Sequence, residues 1–276
     1  MPPRSRKATG LPDPDGPVLA DSVTRLGPDA AGRVVVSGSH GGTYATWLAC
    51  RSGCRAVILH DAGVGLDEAG IGGLAWLERL GLAAAAVDHA SAPIGQAERM
   101  LDRGRISHAN AQAAACGLRP GMPCREAARR LAAAPERHGP CPEVAEARDV
   151  LHLPAARRPL VLIDSASLVR PEDEGAVIVT GSHGALFGTD PRNALKVDAR
   201  LALFNDAGGG PGTGRLAPLE QRGIAAATVA ANSARIGDAR SSWQDGVVSA
   251  ANRPARDLGA RPGLPASDLV ARFLDM

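Results

Sequence analysis

Aromatic residues are scarce in this chain: they make up 3% of its 276 residues, although 45% of the residues are hydrophobic. The core therefore has to be built from Ala, Val, Leu and Ile, whose faces pack closely. The formal net charge is only +2, too little for the strong field that would indicate a nucleic-acid or membrane-surface partner. We therefore expect a small-molecule ligand, with no nucleic acid and no membrane as partner.

Long apolar runs and regular cysteine spacings are also missing. The sequence has no apolar run long enough for a transmembrane helix, and residues 1–17 lack the apolar stretch of a signal peptide. We interpret 1–17 as a flexible tail and the protein as cytoplasmic, and the excess of Arg over Lys as the mark of a GC-rich bacterial genome. The cysteines, without zinc-type pairing, are interpreted as reduced structural thiols: Cys50, Cys54, Cys116, Cys124 and Cys141.

An internal repeat is the strongest signal that the chain does contain. A shift of 143 residues places 21–41 on 164–184, with ten of 21 positions identical, and a shift of 142 places 81–121 on 223–263, with 19 of 41 identical. The repeat predicts two copies, 18–133 and 161–276. The Pro-containing segment 134–160 is predicted to be a linker with one short helix at 143–151.

Each copy alternates short β-branched runs with longer Ala- and Leu-rich segments, a pattern typical of parallel α/β sheets. The predicted strands are 17–21, 32–39, 54–61 and 81–88 in the first copy, and 159–164, 175–182, 199–206 and 223–230 in the second. Their continuous apolar character predicts a mostly parallel sheet with helices on both faces. In the first copy we expect helices at 43–52, 67–80, 96–103 and 108–117. The predicted fold is thus an internally duplicated α/β unit with a pseudo-two-fold arrangement.

Both copies carry Gly-Ser-His-Gly at the end of the second strand, the edge where open parallel sheets bind ligands. Gly38 and Gly41 would let the backbone approach an anion, Ser39 would act as a nucleophile or hydrogen-bond donor, and His40 as a general base. The alternative is that Ser39 caps a helix and His40 fills a polar pocket. In the second copy, Ser182 and His183 are the corresponding candidates for substrate binding.

The segment VVVSGSHGGTYATWLACRSGCRAVILHDAG, about 30 residues, resembles the nucleophile-elbow region of α/β-hydrolases. The resemblance implies a strand, a Gly-rich elbow with Ser39 as its serine, and an Ala-rich helix. Ser37 stands where that family's G-x-S-x-G turn has its first Gly, and Thr180 does so in the second copy. In that family the catalytic Asp and then the His follow the serine along the chain. No histidine follows His183, so the resemblance is limited to the local motif.

Further candidates follow other strand ends. Asp61 and Asp206, each in Asp-Ala-Gly-x-Gly, are interpreted either as a catalytic or substrate-contacting acid or as Asx-turn residues. Retained serines that precede an Ile-Gly turn are expected to contact ligand or to cap a helix. Ser107 with Asn110 and Ser249 with Asn252 are expected to link helix to loop. The additional substrate-binding candidates are Gly63, His89, Ser91, Ser233 and Arg235.

The two copies differ in their histidines. The first copy has His60, His89 and His108 where the second has Asn205, Ala231 and Ala250, which favours the first copy as the catalytic half. A metal site of His40, His60, Asp61 and His89 is an alternative without a supporting ligand motif, so no metal is predicted. Arg235 is expected to bind an anionic group or to form a surface ion pair.

Cofactor motifs are not recognisable in the sequence. The glycine-rich stretch 208–214 is followed by Arg215 instead of the Lys of a phosphate-binding loop. The leading hypothesis is an enzyme with hydrolase-like or other acid/base chemistry on a small polar or anionic metabolite, using Ser39, His40 and Asp61. The alternative is a metabolite-binding protein with two ligand sites, or with one site across the pseudo-two-fold. A homo-oligomer is compatible with either hypothesis.

Overall fold

Each repeat forms its own sheet in the computed structural model, which describes residues 16–154, 156–188 and 190–275. The described strands make one sheet of five and one of six, and most neighbouring strands run parallel. The predicted α/β class, with a duplicated unit and mostly parallel sheets, is therefore confirmed. The boundaries of tail, repeats and linker stay a prediction, and residues 1–15 of the tail lie outside the described part.

The first repeat places its strands side by side in chain order. Its elements are β1 (Val18–Ala20), β2 (Val34–His40), α1 (Thr43–Arg51), β3 (Ala56–His60), α2 (Gly72–Arg79), β4 (Ala83–Val87), α3 (Ala97–Arg103), β5 (Ile106–Ala109), α4 (Ala111–Ala115) and α5 (Cys124–Leu131). β1 to β4 are parallel, and β5 closes the sheet in the antiparallel sense. All four strands predicted for this repeat are present.

The second repeat has the same strand order with one strand added at its edge. Its elements are β6 (Arg148–Leu151), β7 (Leu160–Ile163), β8 (Val177–His183), β9 (Leu201–Asn205), α6 (Leu216–Gln221), β10 (Ala225–Val229), α7 (Ala239–Gln244), β11 (Val248–Ala251), α8 (Arg253–Asp257) and α9 (Ala266–Leu274). β7 to β10 are parallel, whereas β6 and β11 are antiparallel to their neighbours. The four predicted strands are again present.

Successive strand residues face opposite sides of the sheet and enter different cores. Val35 and Val57 pack with the residues of α1 and α2, whereas Val36 and Ile58 pack with those of α3 and α5. The four alanines at the start of β4 are all buried, so helices approach this sheet closely. The prediction of helices on both faces is confirmed.

Three helix predictions need correction. The helix expected at 108–117 is instead β5 followed by the short α4, because Asn110 caps that helix with its side chain accepting from Ala113 N at 3.0 Å. Ser107 therefore lies in a strand, where its Oγ donates to Ala86 O at 3.3 Å. The helix expected at 67–80 begins only at Gly72, because the loop before it contacts the second repeat.

The helix expected at 143–151 is also wrong, since this part of the linker contains β6. Asp164, at the end of the neighbouring strand, donates its backbone N–H to the carbonyl of Ala147, the residue before β6, at 3.1 Å and accepts Ala147 N on its carboxylate at 2.8 Å. These bonds hold the chain extended, which a helix at the same residues would forbid. The linker thereby carries 144–146 alongside the ends of both sheets.

The repeats meet at equivalent loops, as a pseudo-two-fold requires. Gly63 and Gly208, which occupy matching positions after β3 and β9, approach so closely that a Cβ on Gly63 would lie 2.8 Å from Gly208 Cα. Leu66 N donates to Ala231 O across the contact at 2.8 Å. A small apolar cluster with residues from both repeats also packs at this contact: Ala62, Ile94, Ala185, Ala207 and Ile236.

Candidate functional site

The carboxyl ends of β2 and β8 open into one cavity between the repeats, which we call the inter-repeat cavity. Its volume is about 510 Å³, within the range of small-molecule sites. The first repeat contributes Ser39 and His40, and the second contributes Ser182 and His183. The fold therefore brings both copies of the Gly-Ser-His-Gly turn to a single space.

The two histidines are held in the same way. Backbone N–H groups two residues further on donate to their Nδ1 atoms, Gly42 N to His40 at 3.1 Å and Ala185 N to His183 at 3.2 Å. Nδ1 is therefore the unprotonated nitrogen, and the neutral ring carries its proton on Nε2. Neither Nε2 atom has a hydrogen-bond partner among the described residues, so both rings have a donor available for a ligand.

Burial keeps these histidines neutral. It lowers the pKa of His40 to about 4, with a further contribution from His60. Burial also places the pKa of His183 well below its usual value, and the nearby guanidinium of Arg215 lowers it further. At neutral pH both rings therefore act as hydrogen-bond donors, while their acceptor nitrogens are occupied by the backbone.

Arg215 is a buried cation at the same cavity. Its Nε donates to Ala185 O at 3.1 Å and its Nη1 to Ala194 O at 2.7 Å, whereas Nη2 has no partner among the described residues. The residue is 4% exposed, and burial lowers its pKa to about 10, so it stays charged at neutral pH. None of the ion pairs within the described part of the chain includes it.

Ser39 and Ser182 line the cavity but are engaged by the backbone. Ser39 Oγ accepts from Val23 N at 3.1 Å, and Ser182 Oγ accepts from Ala166 N at 2.9 Å. In the described structure, neither serine is hydrogen-bonded to the histidine that follows it. These contacts anchor the loops after β1 and β7 and leave the serines without an activating base.

Asp61 and Asp206 turn away from the cavity and hold loops. Asp61 Oδ1 accepts from Gly63 N and from the backbone N of His89, both at 3.0 Å. Asp206 Oδ1 accepts from Gly208 N at 3.1 Å and Ala231 N at 2.9 Å. These are the contacts of the Asx-turn alternative, and Asp61 is not brought to Ser39 and His40.

His89 and Gly63 lie at the contact between repeats. His89 Nδ1 is 3.1 Å from Asp61 Oδ1, and its ring packs against Gly208, where an added Cβ would lie 2.7 Å from Cδ2. Asp61, Asp88 and His89 form a group whose possible metal-ligand atoms lie within 4.8 Å of one another. This group differs from the four-residue metal site considered above, since His40 and His60 are not in it.

Ser91 and Ser233 support sheet edges. Each Oγ donates to a carbonyl three residues earlier, Ser91 to Asp88 O at 2.7 Å and Ser233 to Ala230 O at 2.8 Å. Each also accepts a backbone N–H from the start of the antiparallel strand region. Neither serine lines the inter-repeat cavity.

The remaining candidates, Gly38, Gly41 and Arg235, all make structural contacts. Gly38 allows a close approach, because an added Cβ would lie 2.6 Å from Asp21 O, and Gly41 N donates to His60 O at 2.9 Å. Arg235 reaches the cavity rim and pairs with Asp67 of the other repeat at 2.5 Å. The surface ion-pair alternative for Arg235 thus describes its contacts.

Two cavity residues were missed by the sequence reasoning. Arg215 aligns with Gly73 of the first repeat, because each donates its backbone N–H to the second glycine of the Gly-Ser-His-Gly turn, so comparison of the copies offered a signal for it. Glu146 comes from the linker and lines the cavity together with Tyr44, and its sequence surroundings offered no signal.

Comparison of the chain with models of known protein families, with curated protein sequences and with solved structures finds no match. The function is therefore argued from the chemistry of the site, since a fold by itself does not specify a function.

Proposed function

We propose that the protein binds one small anionic metabolite in the inter-repeat cavity. The observation that carries this proposal is Arg215, a buried guanidinium without a carboxylate partner among the described residues, which lines the same cavity as His40 and His183. A buried charge is costly unless it is paired. An anion from solution would supply the missing partner.

The hydrogen-bonding chemistry supports the same class of ligand. The Nε2–H groups of His40 and His183 and the Nη2 of Arg215 are donors, and none of the three has a partner among the described residues. Carboxylate and phosphate oxygens are acceptors that suit such a set. The ligand therefore needs a carboxylate, phosphate or comparable anionic group.

The hydrolase-like alternative stays a prediction. It requires a base for Ser39, but the His40 nitrogen that lacks a proton accepts from Gly42. The contacts of His40 therefore favour hydrogen-bond donation to a ligand over proton abstraction from the serine. Turnover would be detected by nuclear magnetic resonance of a bound compound over hours. Unchanged compound at saturation would reject the catalytic hypothesis and leave the binding proposal intact.

A thermal-shift panel tests the binding proposal. Small carboxylates and phosphate esters are compared with their neutral amides and alcohols, and we expect stabilisation by anions only. His40→Met and His183→Met keep a side chain of similar volume and remove the ring N–H donor. The neighbouring backbone N–H then meets only a weakly accepting sulfur, so each variant's stabilisation by anions is measured against its own melting temperature without ligand. Loss of a hydrogen bond to a charged group corresponds to about a tenfold or greater loss of affinity.

His60→Asn is the matched control, since the second repeat has Asn205 at that position with equivalent hydrogen bonds. This variant should bind as the wild type does. The proposal is overturned if no anion stabilises the protein, or if anions stabilise the His40 and His183 variants as strongly as the wild type.

A further inference from the structure

The linker side of the inter-repeat cavity is acidic. Glu146 and Asp164 line it beside the Tyr44 hydroxyl. Neither carboxyl group takes part in an ion pair within the described residues. The cavity therefore contains unpaired acid as well as the unpaired guanidinium of Arg215.

The two acids differ in what they have to offer a ligand. Asp164 is occupied by the backbone, since its Oδ1 accepts from Ala239 N at 3.1 Å and its Oδ2 from Ala147 N at 2.8 Å. Glu146 has no backbone N–H donor among the described residues, and its partners are the hydroxyl groups of Tyr44 and Ser165, whose hydrogen bonds lower the pKa of the carboxyl group. Burial, followed by repulsion from Asp164, raises the pKa of Glu146 to about 7, which is the effect of a carboxylate held without a cation.

The acid and the guanidinium do not neutralise each other. Burial alone accounts for the lowered pKa of Arg215, and the groups that shift the pKa of Glu146 are Asp164, Tyr44 and Ser165. The cavity thus presents positive charge at one place and negative charge at another. A ligand of a single sign would satisfy only one of them.

We propose that the ligand is an amino carboxylate, whose anionic group binds Arg215 and the histidine Nε2–H donors and whose ammonium group binds Glu146. This inference rests on the proposed anion site and adds a second recognition point to it. It names a zwitterionic class of small molecule that neither repeat would bind alone, since Arg215 comes from the second repeat and Glu146 from the linker.

Calorimetric titration with matched compounds tests this inference. Glycine, β-alanine, γ-aminobutyrate and their longer homologues are each compared with the alkanoate in which a methyl group replaces the ammonium group, and with the corresponding alkylamine. At pH 8 we expect one amino carboxylate to bind about tenfold or more tightly than its alkanoate. In Glu146→Gln that ratio should fall to about one, with alkanoate affinity unchanged.

Glu143→Gln is the control, because Glu143 is exposed on the same linker and does not line the cavity; it should keep the wild-type ratio. Equal affinities of amino carboxylates and alkanoates in the wild type would overturn this inference and leave the anion site standing. Preference for the amino carboxylate that survives in Glu146→Gln would also overturn it. If no compound of either series binds, this inference fails, and the anion site is decided by the thermal-shift panel, which includes phosphate esters.

Discussion

At the scale of single residues, four strand ends close the following turn with the same contact. His40, His60 and His183 accept the N–H two residues further on through Nδ1, and Asn205 does so through Oδ1 at 2.9 Å. What distinguishes these residues is the other side of the ring or amide. His60 Nε2 lies 2.9 Å from Ala92 O, whereas the corresponding atoms of His40 and His183 are left for the cavity.

His60→Asn is therefore expected to be nearly neutral. Asn205 already makes both hydrogen bonds at the matching position, donating to Ala234 O at 3.1 Å. We expect the free energy of unfolding to change by less than about 1 kcal/mol, whereas His60→Ala should cost about 2–4 kcal/mol because two buried groups lose their partners. Urea denaturation measures both. Equal losses in the two variants would contradict this account.

Acid should destabilise the protein through its buried neutral histidines. Their pKa values are lowered by burial, that of His40 to about 4, while an unfolded histidine titrates near 6.5. The unfolded chain therefore takes up protons first, and stability present above about pH 6.5 is lost as the pH falls toward 4. Glu146 acts oppositely, since its raised pKa removes stability as the pH rises from about 4.5 to 7.

The double variant His40→Asn/His183→Asn separates these contributions. It should lose less stability than the wild type between pH 7.5 and pH 5, by up to about 2 kcal/mol for the His40 contribution. Urea denaturation at the two pH values provides the measurement. If the free energy of unfolding falls equally in both proteins between pH 7.5 and pH 5, these two rings do not cause the loss of stability in acid.

At the scale of elements, the repeats differ most after the Gly-Ser-His-Gly turn. The first repeat continues into α1, whereas the second has an irregular segment and a 3-10 turn at Pro191–Ala194. Gly188, with φ +64°, and Pro191 disfavour a helix there. Arg215 donates to the carbonyls of Ala185 and Ala194 in this segment. The second repeat, which has no helix at this point, thus holds a buried cation where the first repeat has Gly73.

Gly73→Ala tests this packing difference. An added Cβ at Gly73 would lie 2.3 Å from Thr46 Oγ1 on α1, so we expect a loss of about 2 kcal/mol or more. Gly72→Ala is the matched control, because its Cβ would meet nothing within 4 Å. This neighbour should be neutral or slightly stabilising. Similar thermal unfolding of the two variants would contradict the assignment.

Apolar runs identified the parallel strands because both faces of those strands are buried. The antiparallel edge strands escaped prediction because they are short and half-exposed, as at Arg148–Leu151. The paired Ser-His turns were predictable from the repeat. Arg215 and Glu146 were not predicted, because they reach the cavity from a loop and from the linker instead of from strand ends, and their placement depends on how the two repeats pack.

At the scale of the whole molecule, the site depends on the contact between repeats. Gly63, with φ +74°, meets Gly208 at this contact, and His40 Cε1 would lie 3.6 Å from a Cβ on Gly237 of the other repeat. Displacement of one repeat would move His40 and His183 relative to each other. Ligand binding and the inter-repeat contact should therefore be coupled.

Gly63→Ala should weaken both the contact between the repeats and ligand binding. Its Cβ would lie 2.8 Å from Gly208 Cα, in addition to the strain at positive φ, so we expect a loss of about 2–3 kcal/mol in stability and weaker anion binding. Gly81→Ala has a similar φ of +77° but nothing within 4 Å of the added Cβ. This control should lose about 1–2 kcal/mol and retain binding. Unchanged anion affinity in Gly63→Ala would disprove the coupling.

Stoichiometry tests the central claim most directly. Calorimetric titration of the wild type with an anion that stabilises it should give one ligand per chain, because residues of both repeats line one cavity. His40→Met and His183→Met, which lack the ring N–H donor, should each weaken binding by about tenfold or more, while His60→Asn binds as the wild type does. Two ligands per chain, or an effect confined to one of the two cavity histidines, would contradict a single site shared by the repeats.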